Sequence, residues 1–332
     1  MKRMFLRTIL AAAAFTLAAG AAQAQGKTIK FANQNAKGHP VVMGMEKFAE
    51  LVEKKSGGKL KVNVFPGGAL GSDQANVSSL QGGTLEMAAM NSGIFASVIK
   101  DFAVYDFPFL ISNPKEADAL LDGPVGVQLH KKMEDKGLVG LTYYELGFRE
   151  LTNSKRPITK LEDIAGLKLR VIPNPINVDW VSALGANPTP LPFPELYAAL
   201  EQKAVDGQEN PVATIQGAKL NEVQKYMTLS NHQYNPQSVV ISKKFWDGLS
   251  ADEKKWVSEA AVESARYQRE QSRAAAGTIL EALKKAGMQV NELPAAELAK
   301  FREKMKPVIA KHSVGIEATV KAVQDELAKA RK

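Results

Sequence analysis

The chain has 332 residues, of which 45% are hydrophobic and 23% are charged, and it contains no cysteine. The missing cysteine excludes disulfide frameworks, thiolate metal sites and cysteine nucleophiles. The ordinary apolar content argues against intrinsic disorder. The formal net charge is +8, and part of that charge belongs to the N-terminal segment.

The first 24 residues predict an export signal. Lys2, Arg3 and Arg7 precede a short apolar run, and Ala22-Gln23-Ala24 fits the small-x-small cleavage rule. The run is shorter than the ~20 residues of a spanning helix, which favours a cleaved signal peptide (residues 1–24) over a membrane anchor. Its three cations leave with it, which weakens the case for a nucleic-acid partner. We therefore expect a periplasmic protein.

The first half of the mature chain has the pattern of an α/β lobe. Residues 28–33 predict a strand, apolar residues from Val41 to Val52 have helical spacing, and residues 60–64 alternate as in a second strand. A strand, a helix and a strand with short joints predict a parallel pair. A further helix and strand are expected at 72–81 and 85–90.

The pattern restarts near the middle of the chain. Residues 168–172 predict a strand, and residues 177–184 and 195–205 predict helices. This restart indicates a second α/β lobe.

A long helix is expected after the second lobe. Ser250 and Glu253 form a capping box, and nothing interrupts the helix before Gly287. At 1.5 Å per residue it is roughly 50 Å long, enough to brace both lobes. Two further helices are expected at 295–309 and 314–330.

Signatures of catalysis are missing from the sequence. The four histidines include no pair with i, i+4 spacing, and there is no Gly-x-Ser-x-Gly elbow. Gly26-Lys27-Thr28 imitates the end of a phosphate-binding loop but lacks the upstream glycine. The sequence therefore predicts no enzyme, no cofactor and no metal site.

The chain does offer residues suited to binding a carboxylate. Arg149 follows the strand-like stretch 141–145, and Arg170 lies inside the predicted strand 168–172. A buried arginine needs an anion, and guanidinium binds carboxylates bidentately. For Arg170 alone, a bound acid and a protein carboxylate are equally good partners. Asn210, in the turn-prone segment 206–211, offers an amide, although turn chemistry alone explains it better.

Six segments in this order resemble the solute-binding proteins of TRAP (tripartite ATP-independent periplasmic) transporters. The resemblance spans nearly all of the mature chain. It implies an α/β fold of the two-lobed periplasmic binding protein type, with a ligand cleft between lobes and a long lobe-bridging C-terminal helix. The expected lobes are 25–147 plus about 236–276, and 148–235 plus about 277–332. The segments are FPGGALGSD (65–73), GFRELTN (147–153), GLKLRV (166–171), LGAN (184–187), ELYAAL (195–200) and VDGQENP (205–211).

The resemblance also implies roles for particular residues. Arg170 matches the arginine that forms a salt bridge with the ligand carboxylate, Asn210 matches an amide that binds the same carboxylate, and Arg149 matches a second, sometimes water-mediated contact. For the other positions, capping, turn and core-packing roles stay open. The remaining positions in or near the family pocket are His39, Asp73, Asn91, Phe193, Gln34, Ser92 and Tyr234.

The ligand is expected to be a small organic acid. Sialic-acid binders of this family carry a glutamate where this chain has Asn91, which argues against sialic acid. Asn91, Gln34 and Asp73 suit the hydroxyls of a uronate or aldonate, and Asp73 would repel a second carboxylate. We favour such a sugar acid over a four-carbon dicarboxylate, for which Arg149 or His39 would supply the second cation.

The partners implied by the resemblance are the small and large membrane subunits of a TRAP permease, with no nucleic acid. A ligand-presenting subunit for a membrane sensor kinase is the alternative. A secreted hydrolase that reuses the two lobes is a third possibility.

Overall fold

The structure is a computed structural model that describes residues 26–332. The predicted signal peptide, residues 1–24, lies outside the described residues. Among the described residues, no helix has both the length and the apolar character needed to span a bilayer.

Nine strands of residues 26–332 form one mixed sheet, in the order β2-β1-β3-β8-β4-β7-β5-β6, with β9 beside β8. The sheet therefore has two wings, β2-β1-β3 and β7-β5-β6, on either side of β8 and β4. The strands are β1 (Lys27–Ala32), β2 (Leu60–Phe65), β3 (Met87–Asn91), β4 (Leu138–Asn153), β5 (Lys168–Val171), β6 (Asn187–Pro190), β7 (Gly207–Asn210), β8 (Tyr226–Ser242) and β9 (Gln289–Glu292).

Helices cover the sheet and connect its strands. They are α1 (Pro40–Ser56), α2 (Asp73–Gly82), α3 (Pro114–Asp122), α4 (Pro124–Lys132), α5 (Pro175–Ala183), α6 (Leu196–Glu201), α7 (Val212–Gly217), α8 (Lys243–Asp247), α9 (Ala251–Lys285), α10 (Ala295–Ser313) and α11 (Glu317–Ala330). Short 3-10 turns at Ser92–Ser97 and Lys100–Asp106 follow β3.

The predicted strand–helix–strand unit at the start of the fold is confirmed. β1 and β2 pair in parallel from Lys27–Leu60 to Ala32–Phe65. Between them, α1 buries Val41, Met45, Phe48 and Val52, the residues whose spacing predicted it. It ends at Gly57, which adopts the left-handed conformation with φ 59° that glycine tolerates best.

The two wings are joined by the long antiparallel strands β4 and β8. The pairing of these strands is interrupted by irregularities between Glu145 and Gly147 and between Arg149 and Leu151. Gly147 has a φ of 121°, a conformation that a side chain would disfavour. These irregularities bend β4 and β8 between the part of each strand nearer the β2-β1-β3 wing and the part nearer the β7-β5-β6 wing.

The long helix is confirmed as α9, 35 residues from Ala251 to Lys285 with the Ser250–Glu253 capping box. It packs against α1, β4 and α7, so it contacts elements on both sides of the central strands. After it, α10 packs on α5, and α11 packs on α3 and α4.

Two boundaries predicted from sequence are wrong. The strand expected at 141–145 extends through Leu138–Asn153, so Arg149 lies inside it. The segment expected as a turn at 206–211 contains strand β7, which pairs with β4 from Gly207 to Asn210. Its sequence GQEN has little intrinsic strand preference, and the pairing with a buried neighbour decides its conformation.

Candidate ligand-binding site

A cavity lined by residues from both wings lies where the wings meet the central strands. Seven of the ten predicted site residues line it. The lining residues are Gln34, Asn35, Asp73, Gln74, Asn91, Ile94, Leu146, Arg149, Arg170, Ile172, Pro173, Pro192, Phe193, Asn210, Thr214, Asn235 and Gln237.

Arg170 is a buried cation that has no carboxylate partner in the described part of the chain. It lies on β5 with 2% of its surface exposed, and its Nε donates to the Leu191 carbonyl at 2.8 Å. Its Nη1 is buried and has no hydrogen-bond partner within residues 26–332. Burial lowers the pKa of Arg170 to about 10, so the side chain is still charged at neutral pH.

An aromatic ring lies beside this guanidinium. The Cζ atom of Arg170 is 5.8 Å from the ring centroid of Phe193, within cation–π range. Phe193 is half-buried and faces the same cavity.

Arg149 also lines the cavity, but a protein acid neutralises it. Its Nε and Nη2 bind both carboxylate oxygens of Glu209, with 2.9 Å from Nη2 to Oε1. Nη1 lies 3.5 Å from Asn235 Oδ1. Burial favours the neutral acid, yet Arg149 and His232 hold the pKa of Glu209 at about 2. Arg149 is therefore one half of a buried ion pair.

Asn210, at the end of β7, is buried beside this ion pair. Its Nδ2 donates to Gln208 Oε1 at 2.6 Å, and Gln208 in turn donates to Thr152. The amide chain fixes the Asn210 side chain at the wall of the cavity.

Two acceptors face the cavity from the opposite wing. Asp73 Oδ1 and Gln34 Oε1 are buried, and neither has a hydrogen-bond partner among the described residues. Gln34 is held by its Nε2, which donates to the Gly71 carbonyl at 2.6 Å. Burial raises the pKa of Asp73 to about 7, against the opposing effects of the Asn91 backbone, the Arg170 charge and the Gln34 amide.

Two amide donors complete the polar lining. Asn91 Oδ1 accepts from the Gly93 N–H at 2.9 Å and Asn235 Oδ1 faces Arg149. Their Nδ2 groups are buried without a partner in the described part of the chain. Buried polar groups are ordinarily hydrogen-bonded, so these atoms mark where a polar ligand gains contacts.

Three predicted site residues do not line the cavity. His39 caps α1 through its Nδ1, which accepts from Val41 N–H at 3.1 Å. Ser92 Oγ is bonded to Ser238 Oγ at 2.8 Å. Tyr234 donates its hydroxyl to Glu145 Oε2 at 3.0 Å.

Sequence reasoning missed Asn235 and Gln237 on β8. Side chains alternate along a strand, and Gln233, Asn235 and Gln237 are all buried at every second position. The sequence signal is the amide side chain at positions 233, 235 and 237, which strand alternation places on one face. Tyr234 lies between them on the other face, where its hydroxyl binds Glu145.

A buried carboxylate supports the cavity wall from behind. Asp106 accepts from Asn174 Nδ2 at 2.7 Å, Asn177 Nδ2 at 3.2 Å and Gln233 Nε2 at 3.1 Å. A Cβ atom at Gly93 would lie 2.0 Å from its Oδ2, so only glycine fits there. The contact joins the turn after β3 to the start of α5.

Comparison with known proteins identifies the family. The profile of the bacterial extracellular solute-binding proteins, family 7, matches residues 31–314. This chain belongs to that family. It is a solute-binding protein of the TRAP type and not an enzyme, and its relatives are periplasmic binding proteins. Within residues 26–332, no group of His, Asp or Glu is arranged to hold a metal.

Solved structures and a curated relative agree with the fold. A TRAP periplasmic solute-binding protein from Ochrobactrum anthropi is 54% identical with a TM-score of 0.83, covering 93% of this chain and 97% of its own; its C-terminus occupies its ligand pocket. The sugar acid binding protein DctPAm from Advenella mimigardefordensis, in complex with galactonate, is 45% identical with a TM-score of 0.90, covering 92% and 98%. The C4-dicarboxylate-binding periplasmic protein DctP from Rhodobacter capsulatus is 35% identical over 93% of each chain.

Proposed function

We propose that the protein is a periplasmic receptor for a hydroxylated monocarboxylate, a sugar acid of the uronate or aldonate class. It is exported by the signal peptide 1–24 and delivers its ligand to the small and large membrane subunits of a TRAP permease. Arg170 and Asn210 take the carboxylate, while Asp73 and Gln34 accept from ligand hydroxyls.

One observation carries this proposal: the unpaired polar atoms of the cavity divide into donors and acceptors. The donors are Arg170 Nη1, Asn91 Nδ2 and Asn235 Nδ2, and the acceptors are Gln34 Oε1 and Asp73 Oδ1. A carboxylate only accepts, whereas a hydroxyl also donates. A ligand with one carboxylate and several hydroxyls therefore satisfies both sets.

The same atoms disfavour a four-carbon dicarboxylate. Among the described residues lining the cavity, Arg170 is the only cation without a protein carboxylate, because Arg149 is paired with Glu209. His39 lies outside the lining, and burial lowers its pKa to about 3, so it offers no positive charge. Above its pKa of about 7, Asp73 would repel a second carboxylate, and these lining residues offer that carboxylate no compensating cation.

The division into lobes, 25–147 with about 236–276 and 148–235 with about 277–332, is part of the same proposal. Two observations support its central boundaries. Gly147 and Asn235 are register partners across β4 and β8, and the pairing is irregular at this point. A ligand-driven closure would bend the two strands together here, as hinges do.

A thermal-shift panel on the mature protein, unfolded and refolded to remove carried-over ligand, tests the proposal. Its sharpest set holds the carbon skeleton constant: D-galacturonate and D-galactonate carry one carboxylate, galactarate two and D-galactose none. A ligand at a thousand times its Kd stabilises by about 4 kcal/mol, a shift of roughly 8–16 °C at 2–4 °C per kcal/mol.

We expect shifts with one or both monoacids, smaller shifts with galactarate and succinate, and none with galactose. The variant Arg170→Ala is the matched control and should lose the shifts. A larger response to succinate than to every monoacid would contradict the ligand class and leave the receptor role intact.

A further inference from the structure

The side chain of His39 joins the two wings of the sheet. His39 precedes α1 in the β2-β1-β3 wing, and its Nε2 lies 3.2 Å from Thr214 Oγ1 in α7, which follows β7. The strand order places β3, β8 and β4 between β1 and β7. The contact therefore spans the cleft and does not lie within one wing.

The hydrogen bonds around the ring fix which nitrogen carries the proton. Val41 N–H donates to His39 Nδ1 at 3.1 Å, so the neutral ring carries its hydrogen on Nε2 and donates it to Thr214. Thr214 Oγ1 then donates to Asn35 Oδ1 at 3.4 Å. These hydrogen bonds connect His39 in the first wing to Thr214 in the second wing, and Thr214 back to Asn35 in the first wing.

We infer that His39 is a positioning residue that holds the cleft closed, acting through Thr214, which itself lines the ligand cavity. This inference rests on the proposed receptor function. It assigns His39 to closure, where the family resemblance suggested a ligand contact.

The closed contact requires a neutral ring. The groups that contact the ring are uncharged: Val41 N–H at Nδ1, Thr214 Oγ1 at Nε2, and Gly217, where a Cβ would lie 3.7 Å from His39 Cδ2. Burial alone lowers the pKa of His39 to about 3, with no contribution from a charged side chain of residues 26–332. A second proton would also displace Val41 N–H from Nδ1, since both nitrogens of an imidazolium donate.

Opening the cleft separates His39 from Thr214 and exposes the ring to water, where its pKa returns toward the ordinary 6.5. Because the closed state has the lower pKa, protonation of His39 does not oppose closure above about pH 6.5, and it opposes closure increasingly as the pH falls toward 3. With these two pKa values, protonation of His39 weakens ligand binding about thirtyfold between pH 7.5 and pH 5.0.

The test compares wild type with His39→Asn. Asparagine is a preferred N-cap, so the variant keeps the start of α1 while its shorter side chain loses Thr214. Asp73, Asp106 and Glu150, whose pKa values burial raises to about 7, 7 and 8, are present in both proteins, and their effects cancel in the comparison.

Calorimetry with D-galactonate at pH 6.0, in buffers of different ionisation enthalpy, counts the protons released on binding. Wild type should release about 0.8 proton more than His39→Asn, because an ordinary histidine is about that fraction protonated at this pH. Across pH 7.5 to 5.0 the affinity of wild type should fall about thirtyfold further than that of the variant.

A second readout needs no ligand. Since the chain has no cysteine, cysteines introduced at the exposed positions Lys61 and Lys203 give one spin-label pair across the wings. At pH 7.5, a larger fraction of ligand-free wild type than of His39→Asn should have the short label-to-label distance of the closed cleft. At pH 5.0 the distance distributions of the two proteins should become alike. The inference would be overturned if wild type and His39→Asn had identical distance distributions at both pH values. It would also be overturned if both proteins bound galactonate with equal proton release. Failure of galactonate to bind, with a pH-dependent difference in distance, would count against the ligand class alone.

Discussion

The two buried arginines of the cavity differ in what neutralises them. Arg149 on β4 donates through Nε and Nη2 to the two carboxylate oxygens of Glu209. Arg170 on β5 donates from Nε to a carbonyl, and its Nη1 has no hydrogen-bond partner among residues 26–332. Both side chains are almost fully buried. Among residues 26–332 the fold supplies a counter-ion for Arg149 and none for Arg170, which supports the proposal that Arg149 stabilises the fold and Arg170 binds the ligand.

Removing Arg149 tests its structural role and is expected to have the largest effect. Arg149→Ala leaves Glu209 as a buried charge without its main partner, and we expect the free energy of unfolding to fall by about 3–5 kcal/mol. Urea denaturation of the ligand-free protein measures the change. The loss should be present above pH 4.5, the ordinary glutamate pKa, and should disappear as the pH falls toward about 2, where Glu209 takes up a proton.

The matched control replaces both members of the ion pair. Arg149→Met with Glu209→Leu removes the two charges together and should recover most of the lost stability, because apolar replacement of a buried pair is often neutral. If Arg149→Ala is as stable as wild type, Arg149 has no structural role, and the proposed difference between the two arginines is wrong.

Removing Arg170 should have the opposite outcome. Arg170→Ala leaves no buried protein carboxylate without its partner. We therefore expect the free energy of unfolding without ligand to change by about 1 kcal/mol or less. Ligand binding should weaken by about 2–5 kcal/mol, the cost of removing one member of a buried charge pair. Calorimetry with the best acid of the panel measures the affinity.

Arg170→Lys sharpens this prediction. Lysine keeps the charge but not the planar fork, so its affinity should lie between those of wild type and Arg170→Ala. An unchanged affinity in Arg170→Ala would rule out the site assignment, whatever the stability of the variant.

The sequence alone does not predict that a protein carboxylate neutralises Arg149 but not Arg170. Residue patterns placed Arg170 in a strand and the helical spacing gave α1, because these depend on local periodicity. The partner of Arg149 depends on β7 pairing with β4, and that segment was predicted as a turn. The sequence pattern therefore does not indicate Glu209 as the counter-ion, since only the strand register brings it to Arg149.

His39 and Tyr234 show the same limit. The resemblance gives His39 a family pocket position, and Tyr234 is a candidate from the segment 230–238. In the structure neither lines the cavity, because His39 caps α1 and Tyr234 binds Glu145. Side-chain direction depends on the exact start of a helix and on strand register, and boundaries of this kind are the least certain part of a pattern. The long helix α9, which the sequence predicts from its capping box and the absence of a break before Gly287, is confirmed with both of its ends.

The smallest of these effects is expected at Asp73, on the acceptor side of the cavity. Asp73→Asn replaces an acceptor-only carboxylate with an amide that has one acceptor oxygen. A hydrogen bond to a charged group is worth about 1.5–3 kcal/mol, so affinity for D-galacturonate or D-galactonate should fall about tenfold to a hundredfold. At pH 8.0, above the Asp73 pKa of about 7, affinity for succinate should stay equal or rise, because the variant removes a like charge. Parallel calorimetric titrations give both values, and an equal loss for both ligand classes would mean that Asp73 shapes the cavity without recognising hydroxyls.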